Sequence, residues 1–192
     1  VARPGSFPIP KEGSMLGALT AAGGPTGKAA LSRASILRGS TSIPVDLRGL
    51  RADAQTVDAI KLLPGDTIMI PENKLEYAVF GAVRTPGMTT YPDDAPVTVL
   101  AALSRAGGQT ETADLKNASL IRPSTDGKPT MVAINVEAML KKGELSQDVP
   151  VQPGDILFVP TRKQGRMGPR DTLGFFREIV GFLPFATFFS HR

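Results

Sequence analysis

The sequence predicts an α+β chain made of two copies of one unit, each a small sheet gripping a single helix, with a hydrophobic helix at the C-terminal end. Three observations predict this. The phrase "LLPGDTIMIP" at 62–71 returns as "VQPGDILFVP" at 151–160. Other phrases return with it, in the same order and at a nearly constant offset. Finally, 17 Pro and 20 Gly among 192 residues call for many short elements joined by specific turns. With 41% hydrophobic and 21% charged residues the mixture is that of an ordinary globular chain, able to fill a core.

The repeat can be traced phrase by phrase. "ARPG" at 2–5 matches "RTPG" at 84–87, an offset of 82, and "MLGALTAAGGPT" at 15–26 matches "VLAALSRAGGQT" at 99–110, an offset of 84. "ASILR" at 34–38 matches "ASLIR" at 118–122 at the same 84, whereas "VDL" at 45–47 and the PGD phrase match "INV" at 134–136 and its PGD phrase at 89. Five residues are therefore inserted between Arg122 and Ile134, where Asp126-Gly127 signals a hairpin turn. An insertion confined to a turn is what two copies of one fold would show. The copies are bounded at 1–72 and 77–162, and the remaining 163–192 is a basic linker and a tail.

Each element of the fuller second copy has its signal. "YAVFGAV" at 77–83 is a β-rich run that "TPG" turns into "MTTY", giving a hairpin. From Val97 to Ala106 the apolar Val99, Leu100, Leu103 and Ala106 stand at helical spacing, and Gly107-Gly108 closes the helix. The first copy repeats this with Met15, Leu16, Leu19 and Ala22 before Gly23-Gly24. "SLIR" and "MVAINV" are strands paired across the Asp126-Gly127 turn, and a short helix falls near "EAMLKKG". "ILFV" and "TIMI" are apolar or β-favouring on both faces, as inner strands require. The first copy lacks the strand that would lead into Val1.

This order, carried by "GAVRTPGMTTY", "VLAALSRAGGQTETADLKNASLIRP", "AINVEAMLKKG" and "VQPGDILFVP", resembles the soluble-ligand-binding β-grasp (SLBB) domain of the outer-membrane polysaccharide export proteins, the Wza-like family. The resemblance implies two tandem β-grasp domains and a non-enzymatic role in capsule or exopolysaccharide transport. Implied too are a homo-oligomeric ring in the periplasm or outer membrane, a passive path for polysaccharide, an inner-membrane co-polymerase and export complex as the driving partner, and no cofactor. The family's N-terminal export domain and lipoprotein cysteine have no counterpart here. A different class of function is a soluble β-grasp module that holds a saccharide or other small ligand without forming a channel.

Other functions find little support. The net charge of +4 comes from scattered residues, and two Tyr with no Trp offer no basic-aromatic pattern for nucleic acid. The absence of Cys removes disulfides and thiolate metal sites. "AGGPTGKAA" at 22–30 imitates a phosphate loop, yet Ala29 replaces the hydroxyl residue and the stretch ends a helix instead of opening one. No HExxH or GxSxG motif is present, and His191, the single His, has no catalytic partner beside it. The stretch opens at Val1 without a signal peptide or a run of 18 apolar residues, and reads as a processed or excised piece.

Four repeat-related residues remain as candidates. Asp66 and Asp155 of the PGD turns are either metal ligands or bond the backbone of their own turn. Arg38 and Arg122 stand at equivalent positions and are either solvated strand ends or a fork of donors for an acidic sugar.

The tail lies outside the repeat. After "TRKQGRMGPRD", six of the nine Phe crowd into residues 175–189. Phe176, Val180 and Leu183 succeed Leu173 at helical spacing, with Phe175, Ile179, Phe182 and Ala186 beside them, so the expected helix has a broad apolar face. Phe185, Phe188 and Phe189 extend it. At 1.5 Å per residue it would reach only about 25 Å, short of a hydrocarbon core of about 30 Å, and Pro184 interrupts it. These residues are expected to contact membrane or protein, whether a neighbouring subunit or the chain's own domain.

Overall fold

The computed structural model of the chain describes residues 1–8, 13–51, 54–124 and 129–162. Its contacts divide it into two compact units. The first takes Val1–Lys74 with Pro92–Ala95, and the second takes Leu75–Tyr91 with the chain from Pro96 onward. The short return to the first unit was not legible as a boundary. It is held there by Asp93, whose carboxylate accepts hydrogen bonds from the backbone N–H and hydroxyl of Ser32.

In the first unit, α1 (Met15–Ala21) opens on Ser14, whose Oγ accepts the N–H of Gly17. That side chain satisfies one of the donors a helix start leaves unpaired. The helix lays Met15 and Leu19 against β1 (Ala34–Arg38), β2 (Thr41–Val45) and β3 (Thr67–Met69), a three-stranded sheet of order β2-β1-β3. Between β2 and β3 the chain forms a 3-10 turn at Arg48–Arg51 and a short helix α2 (Ala54–Asp58). Sequence periodicity does not show α2, whose five residues are too few to carry a pattern. Leu47 and Val57 complete the core.

The second unit is larger. Its strands β4 (Glu76–Gly81), β5 (Gly87–Thr90), β7 (Ala118–Arg122), β8 (Thr130–Ile134) and β10 (Ile156–Val159) form a sheet of order β5-β4-β10-β7-β8. β10 runs parallel to β4 and antiparallel to β7. A separate pair, β6 (Val97–Thr98) and β9 (Pro150–Val151), leads into the main helix α3 (Val99–Arg105), while α4 (Val136–Lys142) comes after β8. A mixed sheet gripping α3 is the predicted arrangement.

Three expectations are corrected at the residue level. Val97 and Thr98 are strand rather than helix, because they pair with β9, and the Thr98 side chain caps α3. "MVAINV" stops being strand at Ile134, since Asn135 accepts the N–H of Ala138 and makes Val136 the first helical residue. "TIMI", expected as an inner strand, lies as β3 at the edge of its sheet among the described residues. The inserted residues fall where expected. Arg38 pairs with Thr41 across a two-residue connection, and Arg122 pairs with Thr130 across a seven-residue one. The Asp126-Gly127 turn itself lies outside the described residues.

Candidate functional site: the paired arginine–aspartate clamps

The PGD turns and the ends of β1 and β7 meet in the same way in both units. Pro fixes the first corner and Gly the second, where φ is +89° at both Gly65 and Gly154, a conformation that residues with a side chain resist. The next residue, the aspartate, closes the turn on itself. Its N–H bonds to the carbonyl of Leu63 or Gln152, and its carboxylate accepts the N–H of the same residue at 2.8 Å.

The other side of each carboxylate is taken by an arginine. Arg38 donates from Nε and Nη2 to the two oxygens of Asp66 at 2.9 and 2.8 Å, and Arg122 donates from the same atoms to Asp155 at 2.8 and 2.8 Å. These are side-on forks, the strongest form of arginine–carboxylate contact. The aspartate side chains are 1% exposed, the arginines 39% and 42%. Strand pairing brings the partners together, because Leu37 faces Thr67 and Ile121 faces Ile156, one residue from each clamp. The hydrogen bonds of Arg38, then the turn N–H of Leu63, hold the Asp66 carboxyl down at about 2. The same bond raises Arg38, and Asp155 raises Arg122 in the other clamp.

This geometry assigns the four candidates. Asp66 and Asp155 bond their own turns, and each also receives an arginine. Arg38 and Arg122, at the ends of β1 and β7, each commit Nε and Nη2 to a carboxylate while the side chain stays 39% and 42% exposed. Sequence reasoning missed the pairing, although a signal was present. Both members recur, the arginine at an offset of 84 and the aspartate at 89, which is what a contact across a variable loop leaves behind. Among the described residues no group of three His, Cys, Asp or Glu side chains could hold a metal ion.

Around the clamps the backbone frame repeats bond for bond. Ala2 N–H to Gly24 and Arg3 N–H to Ala22 correspond to Arg84 to Gly108 and Thr85 to Ala106. Met15 to Ile60 corresponds to Val99 to Val149, Ala30 to Pro71 to Asp114 to Pro160, and Asn73 to Lys28 to Arg162 to Thr112. Two models of the SLBB domain match the chain, one over residues 75–159 and one over residues 1–46. The chain carries two SLBB domains in tandem. The match to the first SLBB domain stops just after β2, where a 3-10 turn and then α2 stand in place of the α4 and the following 3-10 turn (Leu145–Gln147) of the second. The tail candidates Phe175, Phe176, Ile179, Val180, Phe182, Leu183, Phe185, Phe188 and Phe189 lie outside the described residues.

Proposed function

We propose that the chain is a subunit of a polysaccharide export conduit of the periplasm and outer membrane, assembled as a homo-oligomeric ring and acting without catalysis. The observation that carries this reading is the tandem: two SLBB domains, a kind found in polysaccharide export proteins, on one repeated backbone frame. Stacked domains present the same surface again and again, which suits a polymer that slides past many weak contacts. With the side-on fork of each arginine held by an aspartate, attraction for an acidic polymer comes from scattered surface cations and from the outer N–H groups of Arg38 and Arg122. It is weak per subunit and falls with salt. An inner-membrane synthesis and export complex supplies the drive.

Mass measurement in plain buffer and in detergent tests the ring, together with saccharide binding at two salt concentrations. A closed oligomer with weak, salt-sensitive polymer binding is expected. A monomer under both conditions that binds a small neutral saccharide tightly and without regard to salt would replace the conduit by a soluble binding module.

A further inference from the structure

The sheet of the second SLBB domain has two apolar faces, and its helices account for one. Tyr77, Val79, Leu120, Leu157 and Val159 belong to the core shared with α3 and α4. On the opposite face Ala78, Ile121, Ile156 and Phe158 form a second cluster, exposed by only 3, 4, 9 and 4%. The other apolar side chains packed on that cluster, Phe80, Met88 and Met131, come from β4, β5 and β8 of the same sheet. A sheet face left to water alternates to polar residues and does not hide its central ones so completely. The corresponding face of the first domain does behave that way, with Thr67 and Met69 exposed. The chain leaves the second sheet from β10, the central strand of this face, and the Phe-rich segment lies beyond Arg162 in the sequence. Residues 163–172 can extend over about 33 Å, more than the roughly 20 Å width of five strands.

We infer that residues 173–192 dock in cis on the outer face of the second domain's sheet, covering Ala78, Ile121, Ile156 and Phe158. The inference does not depend on the conduit reading. The apolar stripe through Phe176, Val180 and Leu183 supplies the complementary surface, and the basic linker spans the distance.

Because the chain has no Cys, single thiols report the two faces cleanly. Ser119→Cys sits on the outer face opposite Phe158, and Ser35→Cys sits at the equivalent place opposite Met69 in the first domain. In the full chain, Phe176→Asp with Leu183→Asp should raise the alkylation rate at position 119 about tenfold and leave position 35 unchanged. A photo-cross-linker attached at position 119 of the otherwise unaltered chain should capture residues 173–192, with a yield independent of protein concentration. Unchanged alkylation at 119 in the double variant, or cross-links only to other segments, would overturn the assignment. A yield that falls on dilution would move the tail to a second copy. That result would overturn docking in cis.

Discussion

In the second SLBB domain the closing strand β10 lies between β4 and β7 and is buried on both faces, whereas its counterpart β3 has, among the described residues, a neighbour on one side only and shows Met69 51% exposed. On their inner faces the two domains agree residue for residue. Met15, Leu19, Ala34 and Ile36 occupy the places of Val99, Leu103, Ala118 and Leu120, and Leu62 that of Val151. What both copies keep is what closes a single helix-on-sheet core and clamps its last turn. What differs lies where another element would attach, along the sheet edge and across the outer face. Both domains close a core with the helix, the clamp and three strands, and in the second β10 also pairs in parallel with β4.

The largest effect should come from the close approach of β4 to β10 in the second domain. Gly81 ends β4 with φ +93°, and a Cβ there would run into the backbone carbonyl of Val159. No side-chain rotation relieves such a clash. Gly81→Ala should cost about 4 kcal/mol, confined to the second domain. In the first domain Gly39 has φ +59° and nothing within 4 Å of a Cβ, so Gly39→Ala should cost about 1 kcal/mol. Hydrogen exchange resolved by domain measures both. Equal small losses would mean that the parallel pair does not close the second sheet.

The clamps should respond alike in both domains. Asp155→Asn weakens the fork from Arg122 and the bond from Gln152, at a cost of about 1.5–3 kcal/mol to the second domain alone. Asp66→Asn should lower the first domain alone. A variant that destabilised both domains would break the picture of two clamps with separate duties.

Acid should sharpen the same point. Asp66 titrates at about 2 in the folded domain, below its ordinary 3.8. A carboxyl depressed by folding stabilises above its unfolded pKa, and that contribution is lost as the pH falls through the folded value. The first domain should thus weaken between pH 4 and pH 2, and Arg38→Gln should shrink the effect by returning Asp66 toward 3.8. Carboxyl chemical shifts check both; an Asp66 titrating at its ordinary value in the unaltered chain would show that the fork does not hold in solution.

Much of the fold was legible because the same signals occur twice. A single "PGD" or a single run of Val, Leu and Ala means little, but an offset that holds at 84 and then steps by five to 89 is enough to locate the β7–β8 connection. The helix ends were legible for the same reason, through paired glycines in each copy. Less was legible about neighbours. "TIMI" and "ILFV" look alike as strings, and only the presence of β4 makes one central and leaves the other at an edge. The clamp was hidden in another way: arginine and aspartate were each read alone, while their meaning lies in strand register. The different order of helix and 3-10 turn in the two copies could not be read at all, since these elements are too short to carry a period, and in the first copy Leu47 and Val57 join them to the core.

The smallest effect belongs to Tyr77, on the strand that the described first domain lacks. Its ring is fully buried and meets Tyr91 edge-on, with centroids 6.1 Å apart and planes at 85°. Its hydroxyl makes no hydrogen bond of good geometry among the described residues, although Thr89 of β5 faces Tyr77, and burial pushes the phenol's pKa up. Tyr91 differs, because its hydroxyl accepts the N–H of Val97 at 3.3 Å, where the chain enters β6. Removing an unpaired buried hydroxyl relieves a desolvation penalty and keeps the ring contact, whereas removing an acceptor strands a donor. Tyr77→Phe should therefore change the second domain by no more than about 1 kcal/mol, in the stabilising direction, and Tyr91→Phe should cost about 1 kcal/mol. Denaturant unfolding of the two variants separates the cases. A loss at Tyr77 as large as that at Tyr91 would mean that the hydroxyl of Tyr77 is bonded in solution. The inner face of β4 would then be held by a polar contact, and the second domain would differ from the first in its core as well as at its edge.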